Sequence, residues 1–496
     1  MGGISRIVLG LSGLILTPIL LSGLGKYEYG IWVTISQMTG FILLADLGVA
    51  NSISRLMSKY DALNLIKNKI SIYSSSLATL LVIMVVAILL SLFLSFHISD
   101  ILKIKEDYRE ITTVVFLIMA INVALSLPLR IGRGMLETVH RFDKIDFLIT
   151  LFKIIQIIII LYLYYYHDIT LFSVVILIVS INLIVELIIF IYGIKAHQEV
   201  KFIFNSISKK TLQELFSISG ASLLLTITGF FSNQGLIILI SLLLGVLYAP
   251  FISIPLFILL SLGSLIGIMS NTFIPIASSY DSLNQSEEIK KLSMYGVRYT
   301  LMQGLLISVY IFSFSHDLLS IWLPLNVMTL SDIDTIYSVL VMLIIPFILG
   351  KSNQGNRAVL LASGWHWKVS NMSSIISILC FILAALLLTQ TSLGIYSVVI
   401  ALAVKLVFGD LILTTYFVIK KYNIKSMNYF IDSYSKPIFI ISAICTLVFL
   451  LKTMSNNLIF NSSVYFFFSI FAFFIVLEKK HRKQALNLIK DIFINN

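Results

Sequence analysis

The sequence predicts an all-α polytopic membrane protein of about 14 transmembrane helices, arranged as two parallel six-helix repeats plus two C-terminal helices. Three observations carry this. First, the 496 residues are 58% hydrophobic and only 12% charged, with mean hydropathy +0.99, whereas a soluble domain is nearer a quarter charged. Second, apolar runs long enough to cross a bilayer recur along the whole chain. Third, residues 24–64 return 220 positions later without a gap: Leu24-Gly25 as Leu244-Gly245, Asn51 as Asn271, and Tyr60-Asp61-Ala62-Leu63-Asn64 as Tyr280-Asp281-Ser282-Leu283-Asn284. Internal duplication is a transporter signature, because two similar halves rock about a central site.

The spans run at about 4–24, 30–56, 71–96, 111–131, 147–166, 170–194, 215–243, 247–276, 293–318, 334–350, 371–390, 394–419, 437–454 and 463–477. The first is long enough to span and lacks both a basic leader and a small-x-small cleavage site, so it reads as a helix and not a signal peptide. Loop charge then orients the chain. The N-terminus and the segments after even-numbered spans hold 28 of the 35 Lys and Arg, against five on the opposite side (Lys26, Lys103, Lys105, Arg109, Lys452) and two, Lys153 and Lys405, within spans. The positive-inside rule places both termini in the cytoplasm. The net charge of +11 is thereby topological and gives no separate support for nucleic-acid binding.

An offset of six spans carries span 1 onto span 7 in the same direction. The repeats are therefore parallel, related by an axis along the membrane normal. The expected organisation is an N-terminal lobe at 1–200, a C-terminal lobe at 201–430, and two added helices with a basic tail at 431–496. No loop has room for a soluble catalytic domain.

Charges inside spans are the candidate functional groups, since an ionised side chain there costs a few kcal/mol and usually faces a partner or a watery cavity. Asp46 lies in span 2, and its repeat mate is Ile266; headgroup water near the span end is the plainer account of it. Glu186 shares a helix face with Asn182, and Lys153 with Gln156. Lys405 and Asp410, five residues apart, are expected on different faces, with Lys405 the deeper. Glu186 and Lys405 hold comparable positions in the two halves with opposite sign, which is either a cross-lobe ion pair or coincidence. Arg55, Arg130, Arg133 and Arg357 close or follow spans. The positive-inside rule explains most such bases, although an arginine ring at a cavity mouth also attracts a diphosphate.

Several motifs carry less. Pro18, Pro128, Pro255, Pro275 and Pro346 predict kinks, and Gly263-x-x-x-Gly267 predicts close helix packing. Gly350-Lys351-Ser352 ends like a nucleotide-binding loop, but position 345 is Ile345 where glycine is required and a membrane helix precedes it where a strand is needed. Two cysteines, Cys380 and Cys445, exclude a thiolate metal site by number. No HExxH occurs, the seven histidines fall in loops or at span ends, and no catalytic residue, metal or cofactor is implied.

Pro18, Leu24-Gly25-Lys26-Tyr27-Glu28-Tyr29-Gly30-Ile31-Trp32, Asp46-Leu47-Gly48, Arg55, and Gly355-Asn356-Arg357 through Leu360-Leu361-Ala362-Ser363-Gly364 form a pattern. It resembles the polysaccharide-transporter branch of the MOP flippase superfamily, the Wzx-type O-antigen and capsule repeat-unit flippases. These motifs cover about a fifth of the chain. The resemblance implies two six-helix lobes around a central cavity. It implies a flippase, not an enzyme, that turns undecaprenyl-diphosphate-linked oligosaccharides from the cytoplasmic to the periplasmic leaflet of the bacterial inner membrane for lipopolysaccharide or capsule synthesis. A polysaccharide polymerase and a chain-length regulator are the implied partners. Asp46 and Arg55 fall on motif positions, while Lys153, Glu186, Arg357 and Lys405 join the candidate cavity set by membrane depth alone. The alternatives are a lipid II flippase, a drug or cation antiporter of the same superfamily, and a membrane-embedded glycosyltransferase or polymerase. The antiporter is disfavoured because span 1 has no acidic residue, and the enzyme because no large outer loop exists.

Overall fold

Long apolar runs without alternation leave the backbone one economical solution in lipid, the α-helix, whose hydrogen bonds are satisfied within the segment. A computed structural model describes residues 2–46, 49–271, 273–454, 457–478 and 480–483. Among them, 13 helices are long and apolar enough to cross a membrane, and there is no strand. Leu47 and Gly48 of the resemblance motif and the basic tail beyond residue 483 lie outside the described residues.

The first two spans account for the difference between 13 and 14. They form one element, α1 (Gly2–Gly40), broken at Gly25 with φ 72° and ψ 167°. At about 1.5 Å per residue, 39 residues are too long for a single 30 Å crossing. The helix is instead kinked at Gly25 into two parts. Lys26, just past the break, bonds Asp332 at 2.7 Å, and the Tyr27 hydroxyl accepts from the Lys105 amide. Farther on, at the opposite, base-rich end, Lys59 bonds Glu214 at 2.9 Å. Span 2 is not one helix either. After α1 comes a 3-10 segment, Phe41–Asp46, and then α2 (Val49–Ala62), so Asp46 sits in a helix interruption.

The chain divides into two compact units. Unit 1 comprises residues 1–257, 322–332 and 377–398; unit 2 comprises 258–321, 333–376 and 399–496. In unit 1, α1 and α2 are followed by α3 (Ile66–Ser95), α4 (Arg109–Leu129), α5 (Ile131–Thr138), α6 (Phe142–Tyr166), α7 (Leu171–Ala196), α8 (Lys209–Ser232) and α9 (Gln234–Leu243). Helix α10 (Ala249–Asn271) begins in unit 1 and ends in unit 2. The chain continues with α11 (Phe273–Ser282), α12 (Ser286–Trp322), α13 (Leu330–Ser352), α14 (Gln354–Ala362), α15 (His366–Gln390), α16 (Tyr396–Val404), a π-helical stretch Lys405–Leu413, and α17 (Thr414–Tyr422), which belong to unit 2 except at 322, 330–332, 377–390 and 396–398. Last come α18 (Ser426–Phe430), α19 (Lys436–Met454) and α20 (Leu458–Val476). On these last two helices Phe439, Phe449, Ile459 and Phe467 are at least 70% exposed, an apolar surface that hydrocarbon covers.

The sequence repeat has a backbone counterpart. Gly25 and Gly245 both have positive φ with extended ψ, 72°/167° and 106°/160°, a region essentially restricted to glycine. The Gly30 backbone approaches so near that a Cβ there would meet the Val246 carbonyl oxygen at 2.2 Å. Asn64 and Asn284 are both left-handed, at φ 54° and 53°, which asparagine tolerates. Each closes the same two bonds: Asn64 N–H to Asp61 and Leu65 N–H to Tyr60; Asn284 N–H to Asp281 and Gln285 N–H to Tyr280. The matching polar loops are thus two copies of one helix-ending turn.

Each unit also holds one nearly buried cation at this base-rich end. Lys69, 4% exposed, bonds both Asp61 and Glu199, tying α2 to the segment after α7. His197 lies 3.5 Å from Glu199. Asp61, His197 and Glu199 have metal-ligand chemistry, but the Lys69 ammonium already bonds both carboxylates, so the group reads as an ion-pair clamp. In unit 2, Arg298, 3% exposed, bonds Glu478 at 2.6 Å and the Asp432 backbone carbonyl.

Candidate functional site

The charged span residues separate by unit. In unit 1, α4, α5, α6 and α7 enclose a cavity of about 380 Å³. Small residues open the approach of α5 to α7: a Cβ on Gly132 would strike the Phe190 backbone at 2.2 Å, and one on Gly193 would strike Gly132. The lining includes Arg130, Arg133, Lys153 and Glu186 together with Asn122, Ser126, Gln156 and Asn182. Arg133 Nη2 lies 3.3 Å from a Glu186 oxygen. Lys153 donates to Gln156 Oε1 at 3.1 Å, the i, i+3 neighbour. Asn122 donates to the Val179 carbonyl.

Three cations face one carboxylate, so the cavity carries an excess of two positive charges. Its polar groups are also only partly used. Arg130 Nε, Arg133 Nε and the second Glu186 oxygen are buried without a hydrogen-bond partner. Buried donors of this kind are costly unless water or a ligand satisfies them. A cavity walled by membrane-spanning helices, cationic in balance and lined by amides and a hydroxyl, has the chemistry to hold an anionic, hydroxyl-rich headgroup.

Lys153 and Glu186 therefore share one cavity, with Arg130 and Arg133 beside them. Asp46 and Arg55 do not line it: Asp46 is buried in the 3-10 segment, and Arg55 is exposed on α2.

Arg357 and Lys405 belong to unit 2, and here one expectation fails. Lys405 Nζ bonds Asp410 Oδ2 at 2.7 Å. Five residues apart are on different faces of an α-helix, but Lys405–Leu413 is π-helical, and i→i+5 winding brings positions five apart into line. Glu186 and Lys405 each take a partner from their own unit, so the ion pair between them is replaced by Arg133–Glu186 and Lys405–Asp410. Lys351, set aside in the sequence with the failed nucleotide-loop motif, ends α13. Its ammonium feels the charges of Asp410, Lys405 and Arg357.

A second correspondence was missed in the sequence. Arg133 and Arg357 are 224 positions apart, as are Glu186 and Asp410, Leu136 and Leu360, and Lys144 and Lys368. The turns agree: His140 and Gly364, also 224 apart, both have positive φ, and the following amides, of Arg141 and Trp365, bond back to Leu136 and Leu360 at 3.0 Å each. Helix α2 packs on α5 in unit 1, as α11 packs on α14 in unit 2. The offset is 220 at residues 24–64 and 224 here, so an ungapped comparison loses the register.

No protein-family model matches the chain, and no curated protein matches its sequence. Solved structures do match. The lipid II flippase MurJ, in an inward closed conformation, has TM-score 0.73 at 15% identity over 98% of each chain. A multidrug resistance MATE family transporter of the MOP superfamily, inward-facing, has TM-score 0.65 at 15% identity over 85% of this chain and 99% of its own. A MOP superfamily transporter from Pyrococcus furiosus has TM-score 0.52 at 14% identity, over 84% of this chain and 95% of that one. The chain shares its fold with these solved transporters. At these identities the likeness concerns the fold, and what the chain carries has to be argued from its own charges.

Proposed function

We propose that the chain is a flippase for polyprenyl-diphosphate-linked oligosaccharides, of the Wzx type, serving O-antigen, capsule or another exopolysaccharide. The observation that carries this is the unit 1 cavity, with its two-charge cationic excess and unpartnered Arg130 and Arg133 Nε groups. A diphosphate and a glycan cannot cross hydrocarbon unassisted, because their charges and hydroxyls there lack partners. In this reading Arg130, Arg133 and Lys153 hold phosphate oxygens and Asn122, Gln156 and Asn182 meet sugar hydroxyls. Glu186 orients Arg133, and the polyprenyl tail stays in lipid. Asp46, Arg55, Arg357 and Lys405 extend the charged path.

The two lobes, 1–200 and 201–430, alternate access between leaflets. In this reading both termini lie on the cytoplasmic side of a bacterial inner membrane, the side that the base-rich loops favour. A polymerase and a chain-length regulator receive the product. The chain itself performs no covalent chemistry.

Deletion tests this reading. Lipid-linked repeat units accumulate in the inner leaflet of the deletion strain, and the intact gene clears them. No accumulation sinks the proposal. A second reading, lipid II flippase, is favoured by the 98% mutual coverage with MurJ; rescue of a strain depleted of its lipid II flippase, without any glycan phenotype, selects it.

A further inference from the structure

We propose that Lys351, Arg357 and Lys405 form a second anion site, contained within unit 2, with Asp410 as its resident counter-anion. Its ligand class is a diphosphate or similar phosphate-bearing headgroup. That the headgroup is a transported lipid rests on the flippase reading; that the site takes a phosphate does not.

Four observations lead here. The charges do not balance. Asp410 bonds Lys405 at 2.7 Å, while Lys351 and Arg357 have no ion-pair partner among the described residues, and the Lys351 ammonium instead stands 5.4 Å from the Phe347 ring centre. The position is costly. Lys405 lies in the candidate span Tyr396–Tyr422, where ionised side chains are retained for function, and Lys351 and Arg357 stand at the junction of α13 and α14. The winding is particular. In unit 1 the equivalent acid, Glu186, bonds the equivalent arginine, Arg133. In unit 2 the π-helical stretch turns Asp410 to Lys405, which leaves Arg357 available. Short π-helical insertions are frequent at functional sites.

Lastly, the packing holds Lys351 in place. A Cβ on Gly263 would lie 3.1 Å from Lys351 Cε, and a Cβ on Gly350 would lie 3.2 Å from Asp410 Cβ. Gly263 therefore leaves room for the lysine stem, and Gly350 lets the π-helical stretch come close.

The chemistry is an exchange. A phosphate entering between Lys351 and Arg357 draws Lys405 from Asp410. The freed carboxylate then repels the bound anion and speeds its exit. Asp410 thus keeps the site from binding its ligand too tightly to release it.

The test uses the full chain in detergent micelles with farnesyl diphosphate as probe, farnesol as neutral control, and inorganic diphosphate to separate a lipid headgroup from a free anion. The intact protein binds farnesyl diphosphate and not farnesol. Lys351→Met weakens that binding at least about tenfold, and Asp410→Asn tightens it about tenfold while slowing dissociation. Lys351→Met removes no member of an ion pair, so it is expected to fold and keeps the test decisive if Asp410→Asn does not. Unchanged affinity in Lys351→Met, or weaker binding in Asp410→Asn, overturns the site. Equal binding of inorganic diphosphate reassigns the ligand to a soluble anion and overturns the lipid-headgroup reading. Glycan export is scored separately. Export intact in a deletion strain while the binding pattern holds overturns the flippase reading and leaves the site standing.

Discussion

The two units carry the same kinds of charge in two different states of use. At the base-rich end each closes a buried cation completely: Lys69 between Asp61 and Glu199, Arg298 against Glu478 and the Asp432 carbonyl. Deeper in the spans the acids no longer suffice. One carboxylate faces three cations in unit 1, and in unit 2 Asp410 pairs with Lys405 while Lys351 and Arg357 have no ion-pair partner among the described residues. A saturated pair is a structural fastener. An unsaturated one has capacity left for a ligand, and that contrast is what separates clamp from site in this protein.

Breaking a clamp gives the largest loss of stability. Lys69→Met leaves two carboxylates facing each other without their cation, and Glu478→Ala leaves the buried Arg298 with the Asp432 backbone carbonyl and, at 3.9 Å, the Asp432 carboxylate. Glu478→Ala, which strips a buried charge of its nearest partner, is expected to cost about 3–5 kcal/mol and Lys69→Met, whose carboxylates reach water, less, read as a fall in Tm of the purified protein. A small shift in both variants removes the distinction drawn above.

Breaking the unit 1 cavity gives the opposite pattern. Arg133→Gln together with Glu186→Gln removes a pair as a unit, so Tm changes little, while glycan export in a deletion strain falls at least about tenfold. Full export in that double variant, alongside damaged clamps, makes the cavity merely structural.

Backbone strain comes next. Gly25→Ala and Gly245→Ala add a methyl group into open space, so their penalty is conformational alone. About 1–3 kcal/mol is expected at each, and the two should match because the turns do. Asn64→Gly and Asn284→Gly should be neutral within about 1 kcal/mol. Unequal results at the paired positions would falsify the structural repeat.

The smallest effect is in pH. Burial raises the Glu199 carboxyl, but the Lys69 hydrogen bond and the Lys69 and His197 charges outweigh it and hold it below its ordinary value of 4.5. Lys59 does the same for Glu214, chiefly through its hydrogen bond. A depressed carboxylate stabilises the fold above its unfolded pKa and loses that contribution as pH falls through the folded value. Tm should therefore be flat from neutral pH down to about 5 and fall below 4.5, with a shallower fall in Glu199→Gln. Destabilisation already at pH 6 points to a different titrating group.

Much of this was legible beforehand, for identifiable reasons. Lipid imposes helices on apolar runs, so span positions follow from composition. Shared turns keep their residues, so Gly25/Gly245 and Asn64/Asn284 announced themselves. The correspondence of Arg133 with Arg357 did not, because a change of four residues in offset hides it. Lys351 was passed over because its local motif failed as a nucleotide loop, and its role depends on neighbours far away in sequence.

By itself, then, the sequence determined the membrane class, the repeat and the charges that had to be accommodated, since each depends on local composition or on residues matched along the chain. Only the tertiary structure decided which charge faces which. Side-chain pairing depends on helix winding and on contacts between distant segments. A π-helical turn at Lys405–Leu413 turned Asp410 toward Lys405, and Lys351 and Arg357 have no ion-pair partner among the described residues.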